Sequence, residues 1–86
     1  MLEPRISQSA QKYVSQLDAA TRKRIKDKII ELARDPFNIR ISKPLRNSDK
    51  RSARVGSYRI LFIVIPGDNV LLVSAVGPRN QIYREA

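Results

Sequence analysis

The amino-acid sequence predicts an α+β domain in which an N-terminal helical hairpin packs on a three- to four-stranded antiparallel sheet. Three observations carry this. Two adjacent stretches place apolar residues at helical spacing, a basic stretch without period follows, and three runs rich in Val, Ile and Leu come after it, separated by turn residues. Eighty-six residues suffice for one such domain spanning 1–86. With 42% apolar residues the composition suits a packed domain rather than a disordered basic tail.

Each element follows from local pattern. Residues 2–6 can add a short strand, with Pro4 tolerable at a sheet edge. Ala10, Tyr13, Val14 and Leu17 fall at i, i+3, i+4 and i+7, which predicts a helix over 8–17 with Ser7 or Ser9 as N-cap. Asp18 can cap a second helix, in which Ile25, Ile29, Leu32 and Ala33 repeat the stripe. Arg22, Lys23, Arg24, Lys26 and Lys28 take its other face, most simply a solvated one. The helix should end near Asp35, because Pro36 disfavours helical geometry in the residue before it. Residues 36–51 read as a solvated connection without regular structure. Strands are expected at Ser52–Val55, Tyr58–Ile65 and Val70–Val76, with the central one covered on much of both faces. Tyr13 and Tyr58 fall on the core-facing alternations, and Arg79 to Ala86 read as a short polar tail or helical turn.

The chain carries 17 Lys and Arg against 8 Asp and Glu, a formal net charge of +9, with neither His nor Cys. This excludes disulfides, thiol nucleophiles, CxxC metal sites and imidazole-based catalysis. The scattered carboxylates show no metal-ligand spacing, so neither a metal nor another cofactor is expected. Met1 to Ser7 lacks the apolar stretch of a signal peptide, and the longest purely apolar run is Ile60 to Ile65. A cytoplasmic chain without membrane contact is expected.

The charges gather where the turns place them. If Gly56 and Ser57 form the loop of a hairpin, Val55 pairs with Tyr58 and Arg54 stands opposite Arg59 on one sheet face. The next hairpin pairs Ile65 with Val70 and, by simple continuation, Arg59 with Val76. Arg79 then falls just past the strand end near the same edge, with Tyr83 four residues on. Like charges directly opposed destabilise a bare sheet, so this cluster makes sense against a polyanion whose phosphates accept guanidinium contacts. Arg40, Lys43, Arg46, Lys50 and Arg51 in the connection, against the single acid Asp49, are expected to contact nucleic acid or an acidic protein.

The stretch Arg54-Val-Gly-Ser-Tyr-Arg59, the two apolar strands after it, and Val76-Gly-Pro-Arg79 with Tyr83 close behind resemble the signature of the RelE/ParE superfamily of bacterial toxins. The Ser-x-Ser-Ala start and the helical hairpin also match, so the resemblance spans nearly the whole chain. It implies the toxin of a type II toxin–antitoxin system. On the RelE branch this is a ribosome-dependent, metal-independent endoribonuclease that cuts messenger RNA in the decoding site and inhibits translation until a cognate antitoxin neutralises it. Implied partners are that antitoxin, the ribosome and mRNA, with operator DNA reached only through the antitoxin complex. Arg59 matches the phosphate-stabilising arginine, Arg79 the arginine assisting phosphate contact and the leaving group, and Tyr83 the tyrosine that orients the nucleotide. Arg54 matches the second position of a basic-x-basic pair whose first position is Ser52 here. An arginine is a poor proton acceptor, so the base is left open between Lys50, Tyr83 and groups of the ribosome. Two other readings follow from the same resemblance: a ParE-like inhibitor of DNA gyrase, and a catalytically weak basic module acting within a DNA-binding antitoxin complex.

Overall fold

The computed structural model describes residues 1–78. In chain order these form β1 (Glu3–Ile6), α1 (Gln8–Ser15), α2 (Ala19–Arg34), β2 (Lys43–Pro44), β3 (Arg51–Val55), β4 (Tyr58–Ile65), a 3-10 turn at Pro66–Asp68 and β5 (Val70–Pro78). The helical hairpin packs on one face of the sheet, as expected: α1 lies against β5, and α2 reaches β1 and β3. The tail from residue 79 onward lies outside the described residues.

Caps fix both helices. Ser7 is extended (φ −61°, ψ 157°) and its side chain accepts from the Ala10 amide, while Asp18 (φ −65°, ψ 160°) does the same for Thr21. The first helix stops at Ser15, earlier than the apolar spacing through Leu17 predicts. The Gln16 amide donates to Tyr13 and the Leu17 amide to Val14, which tightens the last turn before Asp18 restarts the chain.

The sheet is larger than expected and mixed. Its order is β1-β5-β4-β3-β2, with β1 parallel to β5 and the remaining pairs antiparallel. β1 sits at the edge, where Pro4 is harmless. Its ends are tied by Leu2 N donating to Ala33 O, and by Ser7 N donating to Val73 O, each at 2.9 Å. Four residues carry no register information by themselves, and the pairing partner is more than sixty residues away in sequence, so local pattern could not show the parallel arrangement. The two-residue β2 lies within the supposedly irregular connection and pairs Lys43 with Ser52 and Pro44 with Arg51.

The second hairpin also departs from simple continuation. Ile65↔Val70 through Phe62↔Val73 follow the expected register, but Leu61 then faces Ala75, so Ser74 is an extra residue and Arg59 faces Gly77 rather than Val76. Ser74 Oγ donates to the Leu61 carbonyl at 3.3 Å, and the Ser74 carbonyl accepts from Ser7 Oγ at 3.0 Å. The insertion lets Val73 and Val76, three residues apart, both join the helix-side core.

That core joins Ala10, Val14, Ile25, Ile29 and Leu32 from the helices to Ala53, Val55, Ile60, Phe62, Leu71, Val73 and Val76 from the sheet. Each fully buried large apolar side chain contributes about 1.5–3 kcal/mol relative to exposure. On the opposite face Leu61 and Ala75 are buried under Leu45, while Ile63 and Ile65 are only half-buried. Tyr13 and Tyr58 meet edge-on at 6.4 Å between ring centroids at the margin of the main core. Burial, and secondarily Tyr58, pushes the Tyr13 hydroxyl above its ordinary pKa.

Candidate nucleic-acid interface

The site begins with a tight turn. Gly56 takes φ +57°, a conformation that costs glycine little, and Val55 pairs with Tyr58. Space reinforces the choice of glycine: a Cβ there would lie 3.1 Å from Nη2 of Arg24 on α2. The register puts Arg54 directly opposite Arg59. Because alternate residues share a face, Ser52, Arg54, Arg59 and Leu61 project away from the helices, opposite to Ala53, Val55, Ile60 and Phe62. Arg54 is exposed and Arg59 half-buried. Arg54 Nε donates to the Gly56 carbonyl at 3.3 Å, which holds the guanidinium stem back along the hairpin.

β2 brings further charge to this face. Lys43 is the direct partner of Ser52 and so stands on the same side as Arg54 and Arg59. Together with the preceding loop these residues enclose a recess of about 230 Å³, lined by Arg40, Lys43, Arg54, Arg59, Ser42, Ser52, Ile39 and Ile41. Four of the eight lining side chains are cationic, a composition suited to an anion with several acceptor oxygens.

The wall of the recess is pinned from behind. Asn38 is its hub: its side chain donates to Asp35 Oδ2 at 3.1 Å and accepts from Arg40 N at 2.9 Å, and its carbonyl accepts from the Ile41 and Ser42 amides. Ser42 Oγ donates to Pro36 O at 2.8 Å. Arg51 closes the arrangement from β3, its Nε donating to Ser42 Oγ at 2.9 Å, Nη2 donating to Ser42 O at 3.3 Å, and the guanidinium resting 5.3 Å from the Phe37 ring centre.

Of the residues singled out from sequence, the recess brings together Arg40, Lys43, Arg54 and Arg59. Arg51 is not among them. Its register partner is the core residue Phe62, so it faces the helix side and holds the loop. Arg46 is exposed on the turn that Leu45 N and Lys50 O close at 2.9 Å. Lys50 is half-buried just before β3, about 13 Å along the strand from Arg54 at 3.3 Å per residue. Arg79 and Tyr83 lie outside the described residues. On α2, Lys23 pairs with Asp27 at 3.0 Å and Lys28 with Glu31 at 2.7 Å, consistent with a solvated face. Sequence reasoning missed Ile39 and Ile41, whose place in the recess depends on folding of the loop rather than on any period.

The sequence profile described as the ParE toxin of the type II toxin–antitoxin system parDE matches residues 5–83. The chain belongs to this toxin family. No curated protein sequence matches it. Among solved structures, the free Escherichia coli RelE toxin bearing two arginine-to-alanine substitutions superposes with a TM-score of 0.82 at 26% identity, covering 99% of this chain and 93% of that one. The RelBE2 toxin–antitoxin complex of Mycobacterium tuberculosis gives 0.79 at 25% identity, over 91% of this chain and 98% of that chain. The intact E. coli RelBE complex gives 0.80 at 25% identity, over 91% and 96% respectively. The chain is therefore a type II toxin of the RelE/ParE family. Among the described residues no helix is long and apolar enough to cross a membrane.

Proposed function

We propose that this toxin is a ribosome-dependent endoribonuclease of the RelE kind, which cleaves messenger RNA in the decoding site and stops translation. The observation that carries this reading is the direct opposition of Arg54 and Arg59 on the sheet face turned away from α1 and α2, within one recess shared with Arg40 and Lys43. A sheet gains nothing from two facing guanidinium groups, whereas a phosphate between them accepts paired hydrogen bonds from both. In the reaction the ribose 2′-hydroxyl attacks the adjacent phosphorus, its proton leaves, and the 5′-oxygen departs and is protonated. Arg54 and Arg59 meet the negative charge that develops on the phosphate oxygens. Arg79 and Tyr83 would complete the site in the roles that the resemblance gives them. A guanidinium keeps its proton, so neither Arg54 nor Arg59 takes the proton of the 2′-hydroxyl. Lys50, just before β3, stands about 13 Å from Arg54 along the strand at 3.3 Å per residue, so the proton acceptor in this reading is Tyr83 or a group of the ribosome.

The regulating partner in this reading is a cognate antitoxin, as the related RelE toxins form toxin–antitoxin complexes, and the charge of the basic face fits an acidic toxin-binding segment. Operator DNA would be reached only through that complex. The deciding assay adds the purified chain to programmed ribosomes and maps breaks in the message. Cuts that vanish in Arg59→Ala support the reading, while an intact message at stoichiometric toxin, without binding to ribosomes, overturns it.

A second reading is favoured by the profile match, which carries the ParE name. It is inhibition of DNA gyrase without RNA chemistry. Loss of supercoiling activity that persists in Arg54→Ala and Arg59→Ala variants would establish it in place of the first.

A further inference from the structure

Ile39 is 80% exposed, the most exposed large apolar side chain among the described residues, and it lines the same recess as Arg54 and Arg59. A single exposed aliphatic residue is normal by itself. What sets Ile39 apart is its place beside four cations on a loop bonded on both sides of it. The residue before it, Asn38, is bound through its side chain to Asp35 Oδ2 and Arg40 N, and through its carbonyl to Ile41 N and Ser42 N. Ser42 is in turn held by Pro36 O and by Arg51. The loop thus presents an apolar side chain next to Arg40, at the rim of a cationic recess.

Apolar surface bordered by cations offers both chemistries of an unpaired nucleotide, a surface for the flat base and positive charge for its phosphate. We propose that Ile39 is the apolar contact for an unpaired RNA base whose phosphate lies between Arg54 and Arg59, and so helps to position the strand. The inference rests on the ribonuclease reading and adds to it a contact with the base. An acidic peptide could also meet the cations and lay an apolar side chain on Ile39, and loss of antitoxin binding alone is the outcome that would assign the residue to it. Single-stranded RNA satisfies both halves of the recess.

The test uses the full-length toxin freed of antitoxin and a mixed-sequence single-stranded RNA oligonucleotide, together with the same strand carrying abasic sites, read by fluorescence anisotropy. Ile39→Ser, at an exposed position, should keep the wild-type melting temperature. It should bind the intact strand about fivefold more weakly, the low end for one base contact, and the abasic strand as the wild type does. Because no phosphate contact is removed, the slope of log affinity against log salt should not change. Ile39→Leu should restore binding. The inference is overturned if Ile39→Ser binds the intact strand as tightly as wild type, if it weakens both strands equally, or if it loses antitoxin binding alone. A wild type that cleaves message on ribosomes while Ile39→Ser cuts the same sites at the same rate leaves the ribonuclease reading standing and removes only Ile39. A wild type that neither binds the strand nor cleaves message removes both.

Discussion

The Arg51 guanidinium rests 5.3 Å from the centre of the Phe37 ring and is held there by two hydrogen bonds to Ser42. Phe37 is 62% exposed, so the ring shields one side of a cation that would otherwise face water. The pair joins β3 to the loop that carries Ile39 and Arg40 and leads into Lys43. Phe37→Ala should therefore cost only about 0.5–1 kcal/mol in urea unfolding, the range for an exposed cation–π contact. Its effect on message cleavage should be the larger one, because the recess loses its rear support. Arg51→Lys should behave similarly, since an ammonium cannot reproduce the planar fork. Cleavage unchanged in both variants would show that the loop holds its place without them.

Arg54 and Arg59 make opposite demands on stability and activity. Replacing Arg54 with Thr removes a like-charge cross-strand pair and introduces a good strand former. Unfolding should become harder by about 0.2–1 kcal/mol. The same change should lower cleavage about 100-fold if the guanidinium meets the developing phosphate charge. A variant that is both more stable and less active indicates that Arg54 is kept for its chemistry. A variant that is less stable and equally active would assign Arg54 a structural place, beginning with its bond to the Gly56 carbonyl.

Most of the fold was legible because its signals are local. The N-cap oxygens of Ser7 and Asp18, the stop before Pro36 and the Gly56 turn each act within a few residues, and the Arg54↔Arg59 pairing follows from the turn alone. What was not legible depends on distant groups. The Ser74 bulge is stabilised by Ser7, 67 positions away, and shifts Arg59 from Val76 to Gly77. The recess was visible only as a basic stretch. Lys43 reaches it through β2, whose two residues are too few to show alternation, whereas Arg51 turns to the other face because β3 starts one residue before the expected Ser52 and sets Arg51 opposite Phe62.

Acid should loosen the start of α2 first. The Thr21 hydroxyl and amide both donate to the Asp18 carboxylate, which holds its pKa below the ordinary carboxylate value. A group with a depressed folded pKa stabilises the fold fully above its unfolded pKa, and that contribution disappears as pH falls through the folded value. Melting temperature should thus decline on acidification below about pH 4, near the reference carboxylate pKa. Asp18→Asn, which caps without titrating, should flatten that part of the profile while keeping helicity. An equal decline in the variant would place the acid sensitivity in other carboxylates.

Ser7 performs two tasks with one hydroxyl, and they can be separated. Its oxygen accepts from the Ala10 amide at 3.2 Å and caps α1, while its proton is donated to the Ser74 carbonyl at 3.0 Å and supports the bulge. Ser7→Ala loses both interactions and should cost about 1–2 kcal/mol, since loss of a cap and of a part-buried donor add. Ser7→Asp keeps the acceptor for Ala10 but sets a carboxylate against a carbonyl. Amide exchange at Ala10 should then stay slow while the Leu61–Ala75 region of the β4–β5 hairpin exchanges faster. Because that bulge also sets Arg59 opposite Gly77, Ser7→Asp should reduce cleavage without removing any cation from the recess. If exchange quickened only at α1, the bulge would be holding itself through Ser74 Oγ and the Leu61 carbonyl, and Ser7 would be a helix cap alone.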